Sequence, residues 1–135
     1  MGVPFSLGEI YFEGRIARVV VEADAEFDVE QVKEIENINQ AHFGKKRYCT
    51  LVDTSRYVKA TPAARAYSAT AEYNKQLIAR AIIVTSMPVR ITANFFIKFH
   101  KPVTPTRMFP DLATAREWLN EMIAKEEARE KAARE

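Results

Sequence analysis

The sequence predicts an α/β domain: a single mixed, mostly parallel sheet of about five strands, with an N-terminal antiparallel hairpin and helices packed on it. Three observations carry the prediction. Two runs of β-forming residues flank Gly14-Arg15, a capped amphipathic segment spans Asp28 to Gly44, and strand-like and helix-like runs alternate from Ala79 to Leu119.

In chain order, Phe5 to Glu13 and Ile16 to Ala25 are rich in β-formers, and the short Gly14-Arg15 link makes them an antiparallel hairpin. Asp28 followed by Gln31 forms a capping box. Val32, Ile35, Ile38 and His42 or Phe43 then recur at helical spacing as far as Gly44, a residue suited to the position just past a helix end. Lys45-Lys46-Arg47 is a polar connection, and Tyr48-Cys49-Thr50-Leu51-Val52-Asp53 reads as a largely buried strand. Thr61-Pro62 opens a helix running to about Leu77, because threonine caps free amides and proline at the first helical position has no N–H to leave unsatisfied.

Ala79 to Ser86 is the next strand. From Pro88 or Val89 a helix carries Ile91, Phe95 and Phe99 along one row, with Val89, Ala93, Phe96, Ile97 and His100 around it, so it is apolar nearly all round. Pro102 and Pro105 end it, Thr106 to Phe109 is a short strand, and Asp111 caps a last helix bearing Leu112, Ala115, Trp118, Leu119, Met122 and Ile123. Residues 1–123 are read as the domain. Ala124 to Glu135 holds no large apolar side chain and is read as a charged helical extension or tail, residues 124–135.

A chain of 135 residues fits one domain with one core, and a formal net charge of +2 is far from a nucleic-acid-binding footprint. No apolar run approaches the roughly 18 residues that cross a bilayer, so no membrane insertion is expected. Cys49 is the single cysteine, which excludes an intramolecular disulfide and suits a reducing, cytoplasmic setting. No cofactor and no metal site are expected, since His42 and His100 stand far apart in sequence with no clustered ligand.

Ligands of open α/β sheets gather outside the carboxyl ends of parallel strands. That places Asp53, Thr54, Ser55, Arg56, Thr85 and Ser86 on one rim, with Thr61, Arg65 and Arg90 joining if their helices start there. Hydroxyls and guanidiniums in that pattern suit an anion. The same residue types also serve simply as turn formers and caps. Ile91, Phe95, Phe96, Phe99 and His100 form a candidate interface or apolar pocket, because a helix apolar on more than one face needs a second partner beyond the sheet. That partner is a protein, a second copy of the chain in a homodimer, or a small apolar ligand.

The element pattern ββαβαβα, the strand ending near Asp53, the helix capped at Thr61 and the Ala79 to Phe109 strand-helix-strand resemble the STAS superfamily. This comprises the bacterial anti-sigma-factor antagonists and the cytoplasmic domains of sulfate transporters. Phe95-Phe96, Phe99 and Glu117-Trp118-Leu119 make the chain most like a small stand-alone STAS-like branch of uncharacterised bacterial proteins, over roughly residues 5–123. The resemblance implies a phosphoacceptor at the start of the helix after the central strand, which is Thr61 here. Lys59-Ala60-Thr61-Pro62 lacks both the acid and the glycine of the antagonists' Asp-Ser-Ser-Gly-like motif.

The reading that follows is a non-enzymatic, cytoplasmic regulatory or protein-interaction module. A carrier binding a small apolar or amphipathic ligand near the phenylalanine-rich helix is the alternative, and a hydrolase or transferase using Asp53, Ser55 or His100 is the weaker one.

Overall fold

The computed structural model describes residues 2–54, 58–70, 75–85, 91 and 103–135. Among them the strands are β1 (Val3–Phe5), β2 (Gly8–Glu13), β3 (Ile16–Val21), β4 (Ala25–Phe27), β5 (Tyr48–Thr54), β6 (Val58–Ala60), β7 (Leu77–Val84) and β8 (Thr106–Phe109). The helices among the described residues are α1 (Val29–Phe43), α2 (Pro62–Ser68) and α3 (Leu112–Arg134).

The main sheet is six-stranded and mixed, in the order β1-β2-β3-β5-β7-β8. β1, β2 and β3 pair antiparallel, whereas β3-β5, β5-β7 and β7-β8 are parallel. The N-terminal antiparallel hairpin stands as the sequence predicts. Its two-residue turn needs a positive φ at the first turn position, and Gly14 supplies it at 60°.

Eight strands are described where about five were expected: β6 (Val58–Ala60) stands outside every predicted run, and the other two come from breaks in predicted runs. Phe5 to Glu13 is broken by a tight turn at Ser6-Leu7, where the Ser6 N–H and hydroxyl bond the Glu34 carboxylate of α1. Ile16 to Ala25 is broken at Asp24, whose φ of 59° takes the chain out of the sheet. The escaping residues form β4, which pairs with β6 as a separate parallel ladder of two strands.

The helices cover both faces of the sheet. Val32 and Ile35 of α1 and Ala64 of α2 pack with Ile10, Ala17, Val19, Val21 and Tyr48. On the opposite face, Ala115, Leu119 and Ile123 of α3 pack on Ile16, Cys49, Leu51, Ala79, Ala81 and Ile83. Alternation along each strand makes this division, since neighbouring side chains point to opposite faces. Burying a leucine as completely as Leu119 or Leu51, both 0% exposed, contributes about 1.5–3 kcal/mol each.

One sequence expectation requires correction. The helix expected from Pro62 to about Leu77 ends at Ser68, where Ala69 caps it by bonding back to Ala66 and Tyr67, and Leu77 is the first residue of β7. Leu77-Ile78-Ala79 is almost wholly buried and belongs to the central sheet, so tertiary burial overrides the helical continuation. At the other end, α3 continues through the charged segment to Arg134, and Glu126 within it is buried at 5% exposure. Lack of apolar side chains does not leave this segment unattached, because ion pairs hold it.

Candidate functional site

Two poles of the sheet carry the polar chemistry. The first is the rim outside the carboxyl ends of β3, β5 and β7, where α1 and α2 begin. The β4-β6 ladder sets the two helix starts side by side. The Thr61 N–H donates to the Phe27 carbonyl at 2.9 Å, and the Thr61 hydroxyl donates to Oδ1 of Asp28 at 2.9 Å.

Both residues are caps. Asp28 Oδ1 accepts from the Val29 N–H at 2.9 Å, while the Asp28 N–H donates to Gln31 Oε1 at 2.8 Å, completing the capping box foreseen in the sequence. Thr61 Oγ1 accepts from the Ala64 N–H at 3.0 Å. Each such cap contributes about 1 kcal/mol. A phosphoryl group on Thr61 would meet the Asp28 carboxylate, which repels it.

The other rim residues point in different directions. Thr54 is 7% exposed and donates its hydroxyl to the Ile83 carbonyl, a latch between β5 and β7. Asp53 precedes it on the face that Leu51 presents to α3. Arg65 donates Nη1 to the Ala60 carbonyl, closing the first turn of α2, and Thr85 is exposed. These contacts of Thr54, Thr61 and Arg65 all serve strand or helix ends. Ser55, Arg56, Ser86, Arg90, Phe95, Phe96, Phe99 and His100 lie outside the described residues, so of the trio Asp53, Ser55 and His100 only Asp53 is placed. Ile91 is 62% exposed, as is Val103 at 67%.

The second pole, at the amino ends of the parallel strands, was passed over in the sequence. Arg15 of the hairpin turn is 8% exposed; its Nη1 and Nη2 grip the two carboxylate oxygens of Glu130 at 2.9 and 3.0 Å. Its Nε and Nη2 also donate to the Arg47 carbonyl at 3.0 and 2.8 Å. Arg47, just before β5, donates Nη1 to Glu126 at 2.8 Å and Nη2 to the Leu77 carbonyl at 2.9 Å. Arg129 completes the cluster with two bonds to Glu126, at 3.1 and 2.6 Å.

These contacts set the local ionisation. Hydrogen bonding from Arg129, reinforced by the charge of Arg47, holds the Glu126 carboxyl down to about 2 despite its burial. Hydrogen bonding from Arg15 lowers Glu130, and Glu130 in turn raises Arg15. Cys49 lies in the core nearby, and burial pushes its thiol up to about 12, so it is a packing group and not a nucleophile. A signal for this pole was present in the sequence. Leu119, Ile123, Glu126 and Glu130 continue one stripe at spacings of four, three and four, so the acids occupy the positions that face the sheet.

Beside Arg47, an open groove of about 450 Å³ is lined by Gln40, Gly44, Lys45, Arg47, Lys75 and Gln76. Gln76 Nε2 bridges it by donating to the carbonyls of Gly44 and Lys46 at 2.5 and 3.0 Å. The cations offset the negative end of the α1 dipole. Among the described residues, no group of three or more His, Cys, Asp or Glu side chains is placed to hold a metal ion, and no helix is long and apolar enough to cross a membrane.

The architecture is similar to a crystal structure from Shewanella loihica, an uncharacterised protein of the DUF3478 family with a SpoIIAA-like fold. The match has a TM-score of 0.56 and 14% identity, covering 88% of this chain and 98% of that one. It shows the SpoIIAA-like, STAS-like fold that the element order predicted. No curated protein matches the chain. The family model for a domain of unknown function, DUF7793, matches residues 10–123, and the chain belongs to that family.

Proposed function

We propose that this protein is a non-enzymatic, cytoplasmic interaction module of STAS-like type whose partner is another protein. The observation that carries the reading is the placement of exposed apolar surface. Among the described residues, Ile91 and Val103, at 62% and 67% exposure, are the most exposed large hydrophobic residues, and in the sequence they bracket the phenylalanine-rich run. A contiguous exposed apolar patch marks an association surface, and two exposed apolar residues flanking a run that the sequence makes apolar on more than one face are what favours such a patch here.

The rim supports the same reading. The Thr54 and Thr61 hydroxyls and Nη1 of Arg65 bond strand and helix ends, and in that they serve the fold that presents the surface. The buried, reduced Cys49 suits a cytoplasmic setting.

Affinity capture from the cells that make the protein tests this, with the intact chain compared against the double variant Ile91→Asp/Val103→Asp. A protein retained in near-stoichiometric amount by the wild type and lost from the variant is expected. No retained partner, or equal retention by both, overturns the proposal.

A further inference from the structure

The core beneath α1 contains polar atoms that the protein does not satisfy. Asn39 is 0% exposed, and among the described residues neither its side-chain oxygen nor its nitrogen has a hydrogen-bond partner; Thr50 is 2% exposed, and among the described residues its hydroxyl has none. Buried polar groups in native proteins are almost always paired, with protein or with ordered water. Three orphaned atoms in one core therefore point to a guest that both donates and accepts.

The two residues stand at the same level of the structure. The rings of Phe43, at the end of α1, and Tyr48, at the start of β5, stack at 4.5 Å with 6° between their planes, which fixes helix against strand. From that contact the chain runs in opposite directions along the two elements. Asn39 lies four residues back along α1, about 6 Å at helical rise. Thr50 lies two residues forward along β5, about 6.6 Å at strand rise. Both belong to the faces that helix and sheet turn toward each other, because Asn39 continues the buried row of Val32 and Ile35, and Thr50 shares a strand face with Tyr48.

Arg80, 5% exposed, is the cross-strand neighbour of Thr50 on β7. Its positive charge favours oxygen atoms in this layer, and its Nη2 donates to the Ser68 carbonyl at 3.4 Å.

We propose that Asn39 and Thr50 enclose an internal hydration site in which at least one ordered water bridges the Asn39 amide and the Thr50 hydroxyl. Water suits the site because it is small, neutral and able to donate and accept together. Internal waters of this kind typically make about three hydrogen bonds to otherwise unsatisfied buried polar groups. The site ties the middle of α1 to the central strand through a polar contact inside an otherwise apolar layer.

Two measurements on the intact protein decide it. A crystal structure at atomic detail is expected to show a water within about 3.2 Å of both side chains. Direct bonds from Asn39 to protein atoms, an empty gap, or a larger ligand in its place would overturn the proposal. Thermal unfolding of the near-isosteric Thr50→Val variant gives an independent readout, since valine fills the same space and folds there readily. If a water is held, removing one of its partners lowers Tm by about 3–5 °C. If the hydroxyl is instead a dry orphan, its removal relieves a penalty and Tm stays or rises, which contradicts the site.

Discussion

Replacing Glu126 by glutamine removes the charge that anchors the C-terminal half of α3 while leaving shape and volume nearly unchanged. The carboxyl is 5% exposed and titrates at about 2 in place of an ordinary 4.5, a drop equivalent to roughly 3 kcal/mol. Its partners are more open to water, Arg47 at 37% and Arg129 at 62% exposure, so solvent screening reduces the net contribution to about 1–2 kcal/mol. For a domain of this size that is a fall in Tm of about 3–10 °C.

The pH dependence has a definite sign. Because the folded-state value is depressed, the stabilisation is complete above 4.5 and is lost as pH falls from there through about 2. Thermal unfolding of wild type and Glu126→Gln, followed by circular dichroism at several pH values, should show a gap at neutral pH that closes as Glu126 protonates. Added salt should narrow it as well. Equal Tm values at neutral pH, or a gap that persists undiminished at the acid end, would refute the claim that charge holds this segment.

Three further outcomes follow from local geometry. A Cβ at Gly8 would run into the Val20 carbonyl across the β2-β3 ladder, so Gly8→Ala should destabilise by about 1–3 kcal/mol in urea unfolding. Asp28→Ala removes the α1 cap and the partner of the Thr61 hydroxyl together and should cost about 1–2 kcal/mol, whereas Asp28→Asn, which keeps a capping oxygen, should cost less. The Cys49 thiol, held near 12 by burial, should resist thiol reagents in the folded protein and react at the rate of unfolding; rapid stoichiometric labelling of native protein would contradict its placement.

The sequence was most legible where local chemistry and tertiary structure agree. Asp28 with Gln31, Thr61 with Pro62, Gly44 and Asp111 each mark a helix end through backbone groups that must be bonded, and each marks it in the structure. The strand Thr106–Phe109 was delimited in the sequence by Pro105 and Asp111.

The errors came where a long-range contact decided the matter. No local signal at Leu77 says whether it ends a helix or starts a strand; burial between β5 and β8 settles that. The ion-pair pole joins Arg15 to Glu130 across 115 positions, and nothing local in a charged segment names so distant a partner, although the helical stripe points inward. Asn39 escaped notice for the same reason, since a polar residue inside an apolar row looks like an interruption of the row. Topology says where the carboxyl ends of the parallel strands lie, but whether the hydroxyls there face a ligand or a neighbouring backbone is a matter of side-chain direction that strand order leaves open.

The interaction reading is tested most directly by native mass measurement of the intact protein at its cellular concentration. The 15.4 kDa chain should appear in a discrete heavier complex containing a second polypeptide, and Ile91→Asp/Val103→Asp should return it to the monomer mass. A wild-type protein found solely at 15.4 kDa under those conditions would contradict the account.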